Sequence, residues 1–190
     1  MSTLVLFGLG NPGRQYAKTR HNAGWQVLDQ LAEQLGTDFK RTRLLYAEVA
    51  DARMGDVRVR MVKPQSFMNR VGPVYRRALE VWDLDKEQAL VVVDDFALSF
   101  GRLRFRAEGR AGGHNGLKSI EQAVGGREYP RLRLGIGPVP EGQDPADYVL
   151  KRYDAAQRRE LGDLIAEAAA ASRSWVEDGI ETAMNRFNAG

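Results

Sequence analysis

The sequence contains only two histidines, His21 and His114, and each is followed by asparagine in a glycine-containing polar segment. Histidine titrates near neutral pH, so it is the usual general base in enzymes that move protons. A lone histidine more often caps a helix or completes a core. Because both histidines lie in such segments and the chain has no other, we predict that at least one of them performs acid–base chemistry.

An acidic pair, Asp94 and Asp95, follows the most apolar stretch of the chain, residues 89–93. We interpret this stretch as a central strand, and active sites in open α/β sheets gather at the carboxyl ends of strands. A carboxylate at Asp94 could hold an imidazole in one tautomer and stabilise its charged form. A solvated loop acid is the alternative, and spacing alone favours neither interpretation.

Three asparagines, Asn11, Asn69 and Asn115, come from three different predicted loops. The asparagine side chain offers two donors and an acceptor, which suits binding of a peptide main chain or stabilisation of an oxyanion. Taken singly, each asparagine is more typical of a turn or a helix cap. Asn22, next to His21, is also a candidate N-cap of the helix that follows it.

The segment GLGNPG at residues 8–13 matches the dinucleotide-binding pattern G-x-G-x-x-G letter for letter. That pattern requires a helix to open within the motif and an acid after a second strand. Pro12 and a polar run separate the motif from the next helix, and Glu33 lies inside that helix. We therefore predict no dinucleotide site.

Arginines alternate with apolar residues in the segment RLRFR at residues 102–106. This spacing predicts a strand with Leu103 and Phe105 facing the core and Arg102, Arg104 and Arg106 on the other face. A solvated strand face is the simpler interpretation. Because the guanidinium group matches phosphate oxygens, and three unpaired cations repel one another, we favour a phosphate-binding face. The net charge of +3 and the pI of about 9.3 also indicate a polyanionic partner.

Strands and helices alternate along the chain that must position these residues. The predicted strands span residues 3–7, 45–52, 57–62, 89–93, 102–106 and 131–136. The predicted helices span residues 22–35, 74–81, 117–124, 155–172 and 175–187, and residues 137–145 form a loop rich in Pro and Gly. This order predicts an α/β fold, a single domain over residues 1–190 with a mixed, mostly parallel central sheet and helices on both faces.

Several classes of protein are excluded or disfavoured by composition. The chain has no cysteine, which removes disulfides, thiolate nucleophiles and cysteine-ligated zinc. The amino-terminal segment has no basic region of the signal-peptide kind, and no apolar run approaches the roughly 20 residues of a membrane span. We expect a cytoplasmic protein with no membrane association.

Five separated motifs resemble the bacterial peptidyl-tRNA hydrolase family, in the order in which that family has them. They are GLGNPGRQYAKTRHNAG (8–24), KPQSFMNRVG (63–72), VVVDDFALSFGRLRFR (91–106), GGHNGLKSI (112–120) and RLRLGIG (131–137). The resemblance implies hydrolysis of the ester between a peptide, or an N-blocked aminoacyl group, and the 3′-terminal ribose of tRNA. It also implies a monomer that requires no cofactor and no metal.

The resemblance also implies roles for individual residues. His21 would activate a water and Asp94 would hydrogen-bond it, while Asn11 and Asn115 would complete the catalytic set. The remaining substrate-site positions would be Tyr16, Met68, Asn69 and His114. On the tRNA side, Arg106 and Arg133, with Arg104 beside them, would bind the acceptor stem near its 5′ phosphate. The chain departs from the family pattern at Val71 and at residues 97–99, and Arg106 replaces a commoner lysine.

Two other functions remain as alternatives. A non-catalytic RNA-binding scaffold on the same fold would keep the basic strand, but it would not need all of the proposed catalytic residues. A metal-dependent hydrolase could use His21, Asp94 and His114, although no ligand-spacing motif supports it.

Overall fold

The apolar segment that precedes Asp94 lies in the middle of a seven-stranded sheet in a computed structural model, which describes residues 2–188. The strands are β1 (Ser2–Gly8), β2 (Lys40–Thr42), β3 (Ala47–Met54), β4 (Val57–Pro64), β5 (Ala89–Ser99), β6 (Leu103–Arg106) and β7 (Arg131–Gly137). Their order across the sheet is β2-β3-β4-β1-β5-β7-β6. Every predicted strand is present, and only the short, polar edge strand β2 was not predicted.

The four central strands are parallel, whereas the outer strands are antiparallel. β4, β1, β5 and β7 run in one direction, while β3, β2 and β6 pair antiparallel to their neighbours. The prediction of a mixed, mostly parallel sheet is therefore confirmed. Because the central strands are parallel, their carboxyl ends meet at one edge, and the segments that follow β1, β4 and β5 emerge together.

Within residues 2–188, four helices pack on the two faces of this sheet, and a fifth, short helix packs beside Ile136. They are α1 (Ala23–Gln34), α2 (Val71–Trp82), α3 (Asn115–Val124), α4 (Pro145–Val149) and α5 (Ala155–Phe187). α4 was missed because five residues are too few to display a helical period. The predicted break between residues 172 and 175 is wrong: the chain departs from helical geometry at Gly179, with φ 81° and ψ 177°. No helix within residues 2–188 is long and apolar enough to cross a membrane.

Alternating side chains of the strands form a separate core on each face. On one face, Leu6 packs in a cluster with residues of α1 and α5, including Leu28 and Trp175. On the other face, Phe7 packs with residues of α2 and α3. The prediction of helices on both faces is therefore confirmed.

Gly24, three residues after His21, allows the first turn of α1 to lie directly against the sheet. A Cβ atom at this position would lie 2.3 Å from the carbonyl oxygen of Val92 and 2.6 Å from the backbone nitrogen of Leu9. Both neighbours are backbone atoms of the sheet region, so neither can turn aside. The glycine therefore sets how closely the His21 segment approaches β5.

We predict that Gly24→Ala lowers the free energy of unfolding by about 1–3 kcal/mol, because the added methyl group must displace backbone. Gly162→Ala is the matched control: this exposed glycine lies within α5, and an added Cβ meets nothing within 4 Å. The control should be stabilising by about 0.5–1 kcal/mol. Denaturant unfolding followed by circular dichroism measures both changes, and equal effects of the two substitutions would contradict the close-approach argument.

Candidate active site

The carboxyl edge of the sheet brings both histidines to one carboxylate. His21 lies in a short 3-10 turn, Arg20–Asn22, after β1; Asp94 lies on β5; and His114 is the N-cap residue of α3. The exposed fractions of the three residues are 7%, 2% and 8%, respectively. A solvated loop acid is thus the wrong interpretation of Asp94, which is buried between the histidines.

Asp94 bridges the two imidazole rings. Its Oδ2 lies 2.9 Å from Nδ1 of His21, and its Oδ1 lies 3.0 Å from Nε2 of His114. The centroids of the two rings are 4.9 Å apart. A buried carboxylate is stable only when its oxygens accept hydrogen bonds, and here the donors are the two ring N–H groups.

The hydrogen bonds give the two histidines different capacities. Nδ1 of His114 accepts from the backbone N–H groups of Gly116 and Leu117, at 3.1 and 3.4 Å, so the ring proton is on Nε2 and is donated to Asp94. Both ring nitrogens of His114 are therefore engaged. His21 donates its Nδ1 proton to Asp94, and its Nε2 makes no hydrogen bond within residues 2–188. Only His21 has a nitrogen lone pair that is available to accept a proton.

The electrostatics of the trio favour an ionised Asp94 and a basic His21. Burial alone would lower the pKa of His21, but the charge of Asp94 and its hydrogen bond outweigh burial and raise that pKa. Burial alone would raise the pKa of Asp94; the positive potential of the two imidazoles and their hydrogen bonds lower it well below its usual range. The carboxylate therefore stabilises a proton taken up by His21.

Asn11 is held rigidly beside this trio by Asn22. The Asn22 side chain accepts from the Asn11 backbone N–H at 2.9 Å and donates to the Asn11 carbonyl oxygen at 3.0 Å. Asn22 is the N-cap residue of α1, as predicted, but its side chain makes no capping hydrogen bond and bonds to the Asn11 backbone instead. Oδ1 of Asn11 accepts from the backbone N–H of Met68 at 2.8 Å. The Nδ2 group of Asn11 has no acceptor among the described residues and is free to donate.

The remaining predicted site residues, Met68, Tyr16, Asn69 and Asn115, make no hydrogen bond to the trio. Met68 is buried, and its sulfur lies 2.6 Å from the position that a Cβ of Gly116 would occupy, which places it beside the start of α3. Tyr16 is half-buried and meets the ring of Phe67 edge-on at 6.2 Å. The side chains of Asn69 and Asn115 are exposed and make no hydrogen bond within residues 2–188.

The arginine face lies on the neighbouring strands β6 and β7. Leu103 and Phe105 are buried as predicted, and Arg104 pairs across the strands with Arg133. Arg106 is exposed, and Arg104 is half-buried. Nη1 of Arg133 lies 3.3 Å from Oδ2 of Asp95, so this face adjoins the strand that carries Asp94.

Arg131, two residues before Arg133 on β7, has a different environment. It is wholly buried, donates at 2.8 Å to the carbonyl oxygens of Gly109 and Arg127, and stacks 3.9 Å from the ring centroid of Tyr129. Its side chain therefore holds the chain around β7 together and is not available to a partner.

Sequence reasoning missed Arg20, the residue before His21. Its guanidinium group is buried, stacks 4.0 Å from the ring centroid of Tyr148, and bonds to Gln157 Oε1 at 2.7 Å. It also donates to the carbonyl oxygen of Arg152 at 2.8 Å. These contacts fasten the His21 turn to the segment between α4 and α5. Only the distant partners distinguish Arg20 from a solvated loop arginine, so no sequence pattern could have found it.

The trio could also hold a metal ion, since one ligand atom from each residue lies within 4.8 Å of the others. Two histidines and a carboxylate suit zinc. However, the contacts of 2.9 and 3.0 Å are direct hydrogen bonds. Two ligand atoms on a tetrahedral zinc would be about 3.3 Å apart, given metal–ligand distances of ~2.0–2.1 Å. The present distances therefore favour the hydrogen-bonded arrangement.

We predict that Asp94→Asn shifts the acidic limb of the pH–rate profile to lower pH. A base must be unprotonated, so activity falls as the pH drops through the pKa of His21, which Asp94 raises above 6.5. Without the carboxylate, burial lowers that pKa. The plateau rate should also fall by roughly 10²-fold or more, because an asparagine amide would favour the wrong tautomer of His21. An unshifted acidic limb would contradict the assignment of His21 as the titrating base.

Comparison with known proteins places this geometry in one family. A profile described as peptidyl-tRNA hydrolase matches residues 5–190. The chain is 42% identical over 184 residues to a peptidyl-tRNA hydrolase of Synechococcus sp. (strain JA-3-3Ab), covering 97% of this chain and 82% of that protein. It is 41% identical to one of Elusimicrobium minutum (strain Pei191), covering 97% and 98%.

A solved structure has the same fold. The crystal structure of peptidyl-tRNA hydrolase from Acinetobacter baumannii superposes with a TM-score of 0.91 at 30% identity, covering 98% of this chain and 95% of that one. The agreement of the family profile, the relatives and the fold extends over nearly the whole sequence. The chain therefore belongs to the peptidyl-tRNA hydrolase family.

Proposed function

We propose that this protein hydrolyses the ester bond between a peptide, or an N-blocked aminoacyl group, and the 3′-terminal ribose of tRNA. The observation that carries the proposal is the state of His21, whose Nδ1 is bound to a buried carboxylate while its Nε2 is free. This arrangement supplies a positioned general base. Family membership supplies the substrate class.

The reaction follows from these groups. Nε2 of His21 removes a proton from a water, and the water oxygen forms a bond with the ester carbonyl carbon. As the tetrahedral intermediate collapses, the bond to the ribose oxygen breaks, and the imidazolium returns the proton to that oxygen. The products are a tRNA with a free ribose hydroxyl and a peptide carboxylic acid, which loses its proton to solvent to become the carboxylate. Asp94 stabilises the imidazolium between the two proton transfers.

Asparagine donors assist this base. The free Nδ2 group of Asn11 and the exposed amide of Asn115 are the groups we assign to the carbonyl oxygen or the water. Asn69, Tyr16 and Met68 line the path of the acyl chain, and the ring of His114 forms one wall. An N-blocked substrate presents an additional acyl oxygen, whereas a free α-amino cation leaves the asparagine donors unpaired, so the site should prefer peptidyl over aminoacyl esters.

The tRNA is assigned to the face formed by Arg104, Arg106 and Arg133. Arginine pairs with phosphate oxygens through two parallel N–H groups. Arg133 lies on β7, which pairs with the strand that carries Asp94, and Arg104 and Arg106 lie on β6, beyond β7. We assign the acceptor stem to this face. We further infer that residues 1–190 act as one domain, as a monomer in the cytoplasm, with no protein partner required.

The non-catalytic RNA-binding scaffold is disfavoured. A scaffold would not need a buried carboxylate that holds a histidine as a base, and burial of that charge is costly. Hydrogen-bond distances within the trio also argue against the metal-dependent alternative, which a chelator tests directly.

We predict that the protein releases N-acetylated aminoacyl groups from tRNA at an undiminished rate in EDTA, and that His21→Ala loses activity by about 10²–10⁴-fold. The variant should still bind tRNA, because His21 lies outside the arginine face. A fluorescence titration with uncharged tRNA provides that control. Loss of the wild-type rate in EDTA would favour the metal-dependent hydrolase, and tRNA binding without any cleavage would favour the scaffold.

We predict that Arg106→Ala weakens tRNA binding and reduces the slope of log K against log [salt] by about 1, as expected for the loss of one phosphate contact. The rate at saturating substrate should not change, because Arg106 does not contact the reacting atoms. Arg173→Ala is the matched control, since this half-buried arginine on α5 lies near Glu177, at 3.8 Å. A slope that falls equally in both variants would rule out a specific phosphate contact at Arg106.

A further inference from the structure

Three of the four exposed large apolar side chains within residues 2–188 lie in two neighbouring segments. Leu44 and Tyr46, between β2 and β3, are 59% and 57% exposed, and Phe67, after β4, is 54% exposed. Single exposed apolar residues are ordinary, but a cluster of them marks a binding surface. This cluster is outside the catalytic trio and has no role in the mechanism above.

Leu44 and Tyr46 border a shallow hollow of about 460 Å³, which we call the distal hollow. Its other principal lining residues are Arg43, Ser66, Arg70 and Val74. Arg43 and Arg70 are exposed and form no ion pair with any described residue, and no acidic residue lines the hollow. An apolar floor with unpaired cations at the rim suits an extended chain that carries apolar, aromatic or acidic side chains.

Residues 65–70 connect the distal hollow with the active site. At one end, the backbone N–H of Gln65 donates to the Tyr46 carbonyl oxygen at 2.9 Å. At the other end, the backbone N–H of Met68 donates to Oδ1 of Asn11 at 2.8 Å. The ring of Phe67 meets that of Tyr16 between these points. The distal hollow is therefore continuous with the surface assigned to the acyl group.

The order of the strands indicates which part of the substrate reaches the hollow. The arginine face is on β6 and β7, the trio lies at the ends of β1 and β5, and the distal hollow lies beyond them, beside β3 and β4. The two arms of an ester diverge from the carbonyl carbon. If the tRNA occupies the β6 side, the peptide extends toward the β3 side.

We propose that the distal hollow is a second peptide subsite, which binds residues of the peptidyl group some distance from the ester and favours aromatic or acidic side chains there. Strands lie about 4.8 Å apart, so the hollow is roughly 10–15 Å from the trio. At about 3.3 Å per residue, an extended peptide reaches it with the third to fifth residue from the ester. This inference rests on the proposed function.

The test compares a short and a long acyl group on the same tRNA. The substrates are an N-acetyl-aminoacyl-tRNA and an N-acetyl-pentapeptidyl-tRNA with the same residue at the ester, the latter carrying tyrosine, glutamate or lysine at the fourth position. The variant is the double substitution Arg43→Ala with Tyr46→Gly. Tyr46 has a φ of 53°, a conformation that glycine adopts readily, so removal of the ring does not strain the backbone.

The double variant should lose about 3–10-fold in kcat/KM on the pentapeptidyl substrates with tyrosine or glutamate and little on the N-acetyl-aminoacyl substrate. In the unaltered protein, lysine at the fourth position should react more slowly than glutamate. The matched control is Arg76→Ala on α2, outside the hollow, where Arg76 pairs with Glu80 at 2.8 Å. The Arg76→Ala variant should have an unchanged kcat/KM on both the short and the long substrates.

Three results would overturn the inference. An equal loss on the short and long substrates would assign the hollow to the tRNA. An unchanged kcat/KM on every substrate would show that the hollow binds no part of the peptide. If the unaltered protein cleaves neither substrate, the proposed function is refuted, and this inference is refuted with it. That result is distinguishable from the first two, in which the unaltered protein is active.

Discussion

The burial of one ionised carboxylate constrains the rest of this site. Asp94 is 2% exposed, and an unpaired charge at such a position would be very unfavourable. Two ring N–H groups compensate it, and each of these bonds decides the tautomer of a histidine. One histidine becomes a base with a free nitrogen, whereas the other becomes a fixed structural donor. The chemical difference between two residues of the same type thus follows from how one negative charge is satisfied.

Each partner of Asp94 is in turn held by contacts from a different part of the chain. His114 accepts the first backbone N–H groups of α3, so the orientation of its ring is tied to the start of that helix. His21 follows Arg20, whose buried guanidinium group bonds to the segment between α4 and α5. Gly24 lets α1 approach the backbone of β5. These outer contacts restrict the positions of both rings, which is what a base needs to act on a bound water.

The parallel centre of the sheet brings the catalytic groups together, and it also separates the two surfaces that we propose for the substrate. Parallel strands place all their carboxyl ends at one edge, so segments distant in sequence converge there. The antiparallel strands on either side extend this edge into two flanks, which carry different types of exposed side chain. The β6 flank presents arginines at cross-strand spacing, and the β3 flank presents exposed aromatic and aliphatic side chains beside Arg43 and Arg70. In our proposals, the arginine flank binds the tRNA arm of the ester and the apolar flank binds its peptide arm.

The sequence alone determined the features that depend on local patterns. Apolar runs and alternation located six of the seven strands, the order of elements predicted the α/β sheet, and the position of Asp94 after the most apolar strand placed it at the active edge. His21 was singled out because it is one of two histidines in the sequence, each followed by asparagine in a glycine-containing polar segment. Features without a local pattern were missed or misassigned: the short β2 and α4, the break at Gly179, and the pairing of Asn22 with Asn11. Only the tertiary structure decided which histidine keeps a free nitrogen and which arginines are buried. Those outcomes depend on hydrogen bonds between residues 73 positions apart, for His21 with Asp94, or 137 apart, for Arg20 with Gln157, and such partners meet only when the sheet has assembled.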